Sequence, residues 1–302
     1  MPDKIQNMEA MGSQISPVGR LQQPLNLALS FFLIALVFRV IDIFVLNLDN
    51  TNLNIITSKV IPLVLLLIYL RWSHRRATAL GIHGIMFLRS IILGALVFTV
   101  IWTIPIALEF MTLPTWGIIP SIEIQFIVGF NSAYLVVFYI VNSFMEEGLF
   151  RGLMMRCFMT RVSDFWANLL QSLFFSLWHL VWPAKALITG FLTPAEAFGY
   201  AFYYLIGTFI FGFIAGSMFQ KSSNLAGPIF LHTVWNLFVT ATLITYTAVV
   251  PNPPWVLFIP LTILEEVARL GSAILVIKAL DSILKMPRLT PWNKPICNST
   301  KL

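Results

Sequence analysis

Eight mostly apolar stretches, most of them near the length that crosses a bilayer, punctuate this chain at about 25–47, 55–70, 86–110, 125–157, 165–182, 196–219, 226–250 and 256–284. A membrane-spanning helix needs roughly 20 such residues. The sequence is 58% hydrophobic and 11% charged, whereas a soluble domain carries about 25% charged residues. The fold class that follows is all-α: a polytopic membrane helical bundle of about eight transmembrane helices. The fourth and eighth runs exceed the thickness of a bilayer and are expected to tilt or protrude. The fifth is short, and the "PAKALITGFLTP" that follows it reads as a re-entrant or interfacial piece. No internal repeat and no low-complexity tract interrupts the pattern.

This divides the chain into a polar N-terminal segment (1–23), one transmembrane bundle (24–285) and a polar basic tail (286–302). The first segment is no cleavable signal peptide, since it is polar and an apolar run longer than a signal core follows it. Positive residues fix the expected orientation. Arg71, Arg75 and Arg76 follow the second run, Arg156 and Arg161 the fourth, Lys221 the sixth, and Lys285, Arg288, Lys294 and Lys301 the eighth; Lys4 and Arg20 precede the first. The connections after the first, third and seventh runs hold no Lys or Arg, and the one after the fifth holds only Lys185. Both termini are therefore expected in the cytosol. The net charge of +6 reads as topology rather than as a nucleic-acid surface. Cys157 and Cys297 supply neither a disulfide framework nor a zinc spacing.

Charges inside the runs each need a partner or a use. Arg39 and Asp42 stand at i and i+3 and are expected to neutralise each other. Lys59 and Arg89, near run ends, are expected to snorkel. His74 and His83 are expected to be solvated. Glu265, Glu266 and Arg269 in "LEEVARLG" read as a charge cluster in a protruding part of the last helix.

The stretch "NSFMEEGLFRGLMM" differs, because Glu146, Glu147 and Arg151 fall well inside the fourth run. Glu147 and Arg151 are i and i+4 with the acid N-terminal, the favourable order. Glu146 points about 100° away from Glu147, which leaves it for another task. The fifth run places Phe175 four residues before His179, and the seventh places His232 four residues before Asn236. Glu146 and His179 each lie roughly 24 Å along their helices from the turn joining runs four and five, with His232 and Asn236 at roughly 12–20 Å from theirs. All four residues can thus line one cavity.

A carboxylate facing an imidazole can hold and deprotonate a water, and a buried glutamate makes a stronger base. His232 and Asn236 share a helix face, and each can donate to a developing oxyanion. The set suits amide hydrolysis by activated water. Glu146, His179 and His232 are also a possible zinc-ligand set, although His-Glu-x-x-His on one helix is absent; the metal-free mechanism is the preferred reading.

Glu146-Glu147-x-x-x-Arg151, Phe175-x-x-x-His179 and His232-x-x-x-Asn236, in this order on three apolar runs, resemble the motifs of the CAAX prenyl protease 2 family and its wider relatives, the CPBP group of intramembrane proteases. The resemblance implies an eight-helix bundle with a proteolytic site open to the cytosol or the lipid. It implies Glu146 as the base with His179, His232 and Asn236 as oxyanion stabilisers, and Glu147, Arg151 and Phe175 in support. Eukaryotic members remove three residues after a prenylated cysteine, so the expected partners are the bilayer and a lipid-modified or membrane-embedded peptide. The alternatives are a non-proteolytic scaffold or immunity-type relative, whose mark would be a broken motif, and a transporter using the same residues as a relay. With no retention signal or long eukaryotic extension, the expected location is a prokaryotic cell membrane, or the endoplasmic reticulum in a eukaryote. The sequence does not set the oligomeric state.

Overall fold

A computed structural model of the chain describes residues 23–48, 56–84, 86–124, 130–249, 258–285 and 287–294. Most of the polar N-terminal segment, Cys297 and the end of the tail lie outside the described residues. Helix α1 (Pro24–Val40) starts on a proline, whose missing N–H would be unpaired there in any case, and runs on into a wider π-type turn, Ile41–Val45. α2 (Thr57–Trp72) and α3 (Phe87–Thr112) follow. α4 (Phe130–Glu147) passes into a π-helical stretch, Gly148–Met155, and a last turn, Arg156–Phe158. α5 (Asp164–His179) gives way to the short α6 (Val181–Ile188). α7 (Pro194–Ser222) begins with a reciprocal cap: the Glu196 N–H donates to Thr193 Oγ1, and the Thr193 N–H donates to Glu196 Oε2. α8 (Ala226–Ala241) and α9 (Phe258–Leu284) complete the bundle.

Each predicted run is helical over much of its described part. Among the described residues, Pro24–Val45, Phe87–Trp116, Ala133–Phe158 and Pro194–Ser222 are long and apolar enough to cross a membrane. α2, α5 and α8 have 16 residues each, about 24 Å at 1.5 Å per residue against a hydrocarbon core of about 30 Å. These three short helices also bring polar groups to the interior. The seventh run, read as apolar to 250, is corrected. Its helix stops at Ala241, and β1 (Ile118–Ile124) pairs antiparallel with β2 (Thr242–Ala248), from Ile118 opposite Ala248 to Ile124 opposite Thr242. The β-branched and aromatic content of "TLITYTA" favours this extended state. The "PAKALITGFLTP" connection is helical to Ile188 and then turns.

α3 and α8 cross at closest approach through Gly94 and Gly227. A Cβ on Gly94 would stand 2.6 Å from the Gly227 carbonyl, and one on Gly227 would stand 2.4 Å from the Ser90 carbonyl. Small residues let helix backbones meet in this way, and the Gly227 N–H donates to Ser90 Oγ across the crossing at 2.8 Å. Gly227→Ala should push the helices apart and cost about 1–3 kcal/mol, measured as a lower unfolding temperature in detergent.

Three expectations about charges are corrected. Arg39 turns towards Glu146 rather than to Asp42, whose Oδ2 accepts the Ser58 N–H at 2.5 Å at the start of α2. His83 is half-buried rather than fully solvated: its Nε2 meets the Ser223 carbonyl at 3.0 Å, and Asn224 Nδ2 donates to its backbone carbonyl. Glu265 and Glu266 are buried rather than protruding. Arg269 pairs with Glu266 and donates from Nε to the Ile101 carbonyl, so the cluster ties α9 to α3.

Arg156, read as a topology charge, is 1% exposed. It donates to the carbonyls of Thr290, Pro291 and Lys294 at 2.8–3.0 Å and to that of Ala79. Arg75 donates to the carbonyl of Trp292 at 2.9 Å, and both guanidiniums lie over the Trp292 ring. Cys157 next to Arg156 is a buried free thiol.

Candidate active site

Two adjacent glutamates on α4 must point in different directions, and the helix sends each to a separate set of partners. Glu147 turns into the bundle. Its Oε1 lies 3.2 Å from Arg151 Nη1, one turn on, and 2.7 Å from His232 Nδ1 on α8. Glu147 and Arg151 are fully buried. The Arg151 guanidinium sits 4.3 Å from the centre of the Phe175 ring and donates to the Gly212 carbonyl. Phe175 is thus a floor for the ion pair, and its own carbonyl accepts from His179 Nδ1 at 2.8 Å.

Glu146 turns towards α1, α2 and α5. Its Oε1 accepts from Lys59 Nζ and from Trp178 Nε1 at 3.1 Å, with Arg39 Nη1 at 3.8 Å. Its Oε2 is buried without a hydrogen-bond partner, 3.7 Å from His232 Nε2. The expectation that Lys59 snorkels is therefore corrected: Lys59 is 2% exposed and paired with Glu146. The reason is energetic, since an ammonium buried near a carboxylate gains more from pairing than from stretching towards a distant interface.

These side chains open on one cavity of about 300 Å³. Glu146, His179, His232 and Asn236, from three helices, line it together with Arg39, Lys59, Asn142, Tyr139, Tyr204, Trp182 and Phe138. Glu147, Arg151 and Phe175 lie behind this wall and bear on it through His232 and His179. Because a carboxylate only accepts, His232 Nδ1 is the donor to Glu147, and only Nε2 reaches the cavity. By the same logic the Phe175 carbonyl takes His179 Nδ1–H and leaves His179 Nε2 with its lone pair. The site therefore holds a carboxylate oxygen with a free lone pair and two histidines of fixed ring orientation.

Arg39, Lys59 and Trp178 were missed as site residues. A signal was present for Lys59, a cation in an apolar run with no acid three or four residues away, which requires a partner on another helix. Trp178 precedes a motif histidine but carries no mark of its own.

Among the described residues no three His, Cys, Asp or Glu side chains are grouped to hold a metal ion. Lys59 and Arg39 already occupy the Glu146 flank, where a metal cation would meet two like charges.

Comparison with protein families matches residues 128–238 to the model described as type II CAAX prenyl endopeptidase Rce1-like, a segment holding all three sequence motifs. Comparison with curated proteins and with solved structures gives no match. Through the segment 128–238 the chain is similar to the Rce1-like type II CAAX prenyl endopeptidases of the CAAX protease 2 and CPBP group, which supports a peptidase, and its apolar helices support a multi-pass membrane protein.

Proposed function

We propose that the chain is a glutamate-dependent endopeptidase that needs no metal and releases a C-terminal peptide from a lipid-anchored protein at the bilayer. The observation that carries this reading is the division of the Glu146 carboxylate: Oε1 is held by Lys59 and Trp178, while Oε2 is buried, unpartnered and 3.7 Å from His232 Nε2 at the cavity. A carboxylate with one oxygen fixed and the other open orients a water and accepts its proton.

The reaction runs as follows. A water held by Glu146 Oε2 and His179 Nε2 attacks the scissile carbonyl carbon as its proton passes to Glu146. The carbonyl oxygen becomes an oxyanion, which Asn236 and His232 stabilise, His232 donating from Nε2 while its Nδ1–H stays on Glu147. The C–N bond then breaks, the proton held by Glu146 passes to the leaving amine, the second proton of the water passes from the new acid to that amine, and a carboxylate and an ammonium leave the site. Glu147 and Arg151 set the orientation of His232 throughout.

A cavity inside a helical bundle suits a substrate already concentrated in the membrane, and a lipid chain contributes about 0.8 kcal/mol per buried CH₂. A prenylated C-terminus is the substrate class we favour, cut after the modified cysteine. The alternating basic connections support cytosolic termini, and a prokaryotic cell membrane is the location we favour. The test is cleavage of a fluorogenic farnesylated peptide by the purified chain in detergent, with and without a zinc chelator. Cleavage at the modified cysteine that survives chelation is the expected result. Activity lost on chelation and restored by zinc would overturn the metal-free mechanism, and a folded protein that leaves the peptide intact would favour the scaffold reading.

A further inference from the structure

We infer that Arg39 and Lys59 form a carboxylate-binding subsite of the cavity, which receives the free C-terminal carboxylate of the peptide being cut. The inference rests on the proposed peptidase reading and adds to it what the site recognises. Neither residue lies in the matched segment 128–238, and neither belongs to a sequence motif.

Arg39 and Lys59 are each 2% exposed, and both line the cavity that holds Glu146. Among the charged residues of that wall there are two cations and one carboxylate. Asp42, in the π-type turn after α1, stands outside the wall and takes the Ser58 N–H. Glu147 is committed to Arg151 and His232. Glu146 cannot satisfy both cations: its Oε1 contacts Lys59 directly but stands 3.8 Å from Arg39 Nη1. Arg39 is left with Nε and Nη1 buried and without an acceptor. Guanidinium N–H groups buried without acceptors cost free energy, and the planar guanidinium matches a carboxylate with two parallel hydrogen bonds. Trp178 and Trp182 flank the guanidinium, with ring centres 4.6 and 5.7 Å away.

A leaving segment of three residues spans at most about 10 Å even when fully extended, so its terminal carboxylate remains within the cavity's surroundings. Once there, it supplies the acceptors that Arg39 lacks and competes with Glu146 for Lys59. Binding of the correct chain end therefore loosens Lys59 from Oε1 as the scissile bond arrives. An internal peptide segment, which has no carboxylate, gains neither effect.

The experiment measures binding and cleavage separately. A peptide with S-farnesylcysteine fourth from its end is made as the free acid and as the C-terminal carboxamide, and both are titrated onto the purified full chain in detergent. The acid should bind at least about tenfold tighter than the amide, and Arg39→Gln should reduce that ratio to about twofold or less. Should Arg39→Gln not be recovered folded, Lys59→Gln carries the same test. Equal binding of acid and amide by the wild type overturns the subsite, and so does a ratio unchanged in both variants. Cleavage distinguishes the two levels. A protein that cuts both peptides equally well and binds them equally remains a peptidase without this subsite. One that binds the acid selectively but cuts neither keeps the subsite and loses the peptidase reading.

Discussion

Glu146→Gln should lower kcat for a farnesylated peptide about 1,000-fold, within the 10²–10⁴ that a positioned general base contributes, with KM changed far less. Glutamine keeps the volume of the side chain and an oxygen that Lys59 and Trp178 can still reach, so the cavity should keep its shape. It cannot accept the proton from water. Glu146→Asp separates charge from reach: the carboxylate is retained but withdrawn by one methylene from His232 Nε2, already 3.7 Å away, and most activity should still be lost. Steady-state kinetics on protein checked by thermal unfolding give the answer. If Glu146→Gln stays within tenfold of the wild type while Glu147→Gln is inactive, the two glutamates have been assigned the wrong way round.

Arg151→Ala should have the largest effect on stability, about 3–5 kcal/mol, because it leaves the fully buried Glu147 without its cation. The partner that remains, His232 Nδ1 at 2.7 Å, does not replace a guanidinium. Replacing both members, as Glu147→Leu with Arg151→Leu, should recover much of the loss, since an apolar pair in a buried position often matches an ion pair in stability. It should not recover turnover, because His232 then has no carboxylate to fix its ring. Unfolding temperatures of the two variants, read beside their kcat values, separate the structural role of the pair from its orienting role. A double variant as unstable as Arg151→Ala would show that the loss comes from packing rather than from the unpaired charge.

The helical architecture was legible because lipid imposes a simple rule: long apolar runs become helices, and charges inside them need reasons. That rule identified the runs carrying Glu146, His179 and His232, and depth counted from the turns placed these residues near one level. It did not reveal the ribbon of Ile118–Ile124 with Thr242–Ala248, because β-branched residues at a run's end look like more helix to a hydropathy reading. Pairing rules within one helix also misled at Arg39 and Asp42. Neighbours at i and i+3 can neutralise each other, yet a backbone N–H at the start of α2 and a carboxylate on α4 were better partners for them. The second contact of Glu147, to His232, joins positions 85 apart in sequence. No local pattern encodes such a contact, and only the packing of α8 on α4 creates it.

The docking of Arg156 has a consequence for how the protein is made. A ribosome releases the α4 region long before residues 287–294, so this guanidinium must wait, with most of its acceptors missing, until the last helix has been threaded into the bilayer. Until Thr290, Pro291 and Lys294 arrive, the newly made bundle carries a poorly satisfied cation at the end of the helix that presents both glutamates. Assembly is thus completed by residues 287–294, which emerge after the last helix, and a nascent chain stalled before them would display an unfinished surface that membrane quality control could distinguish from the finished protein.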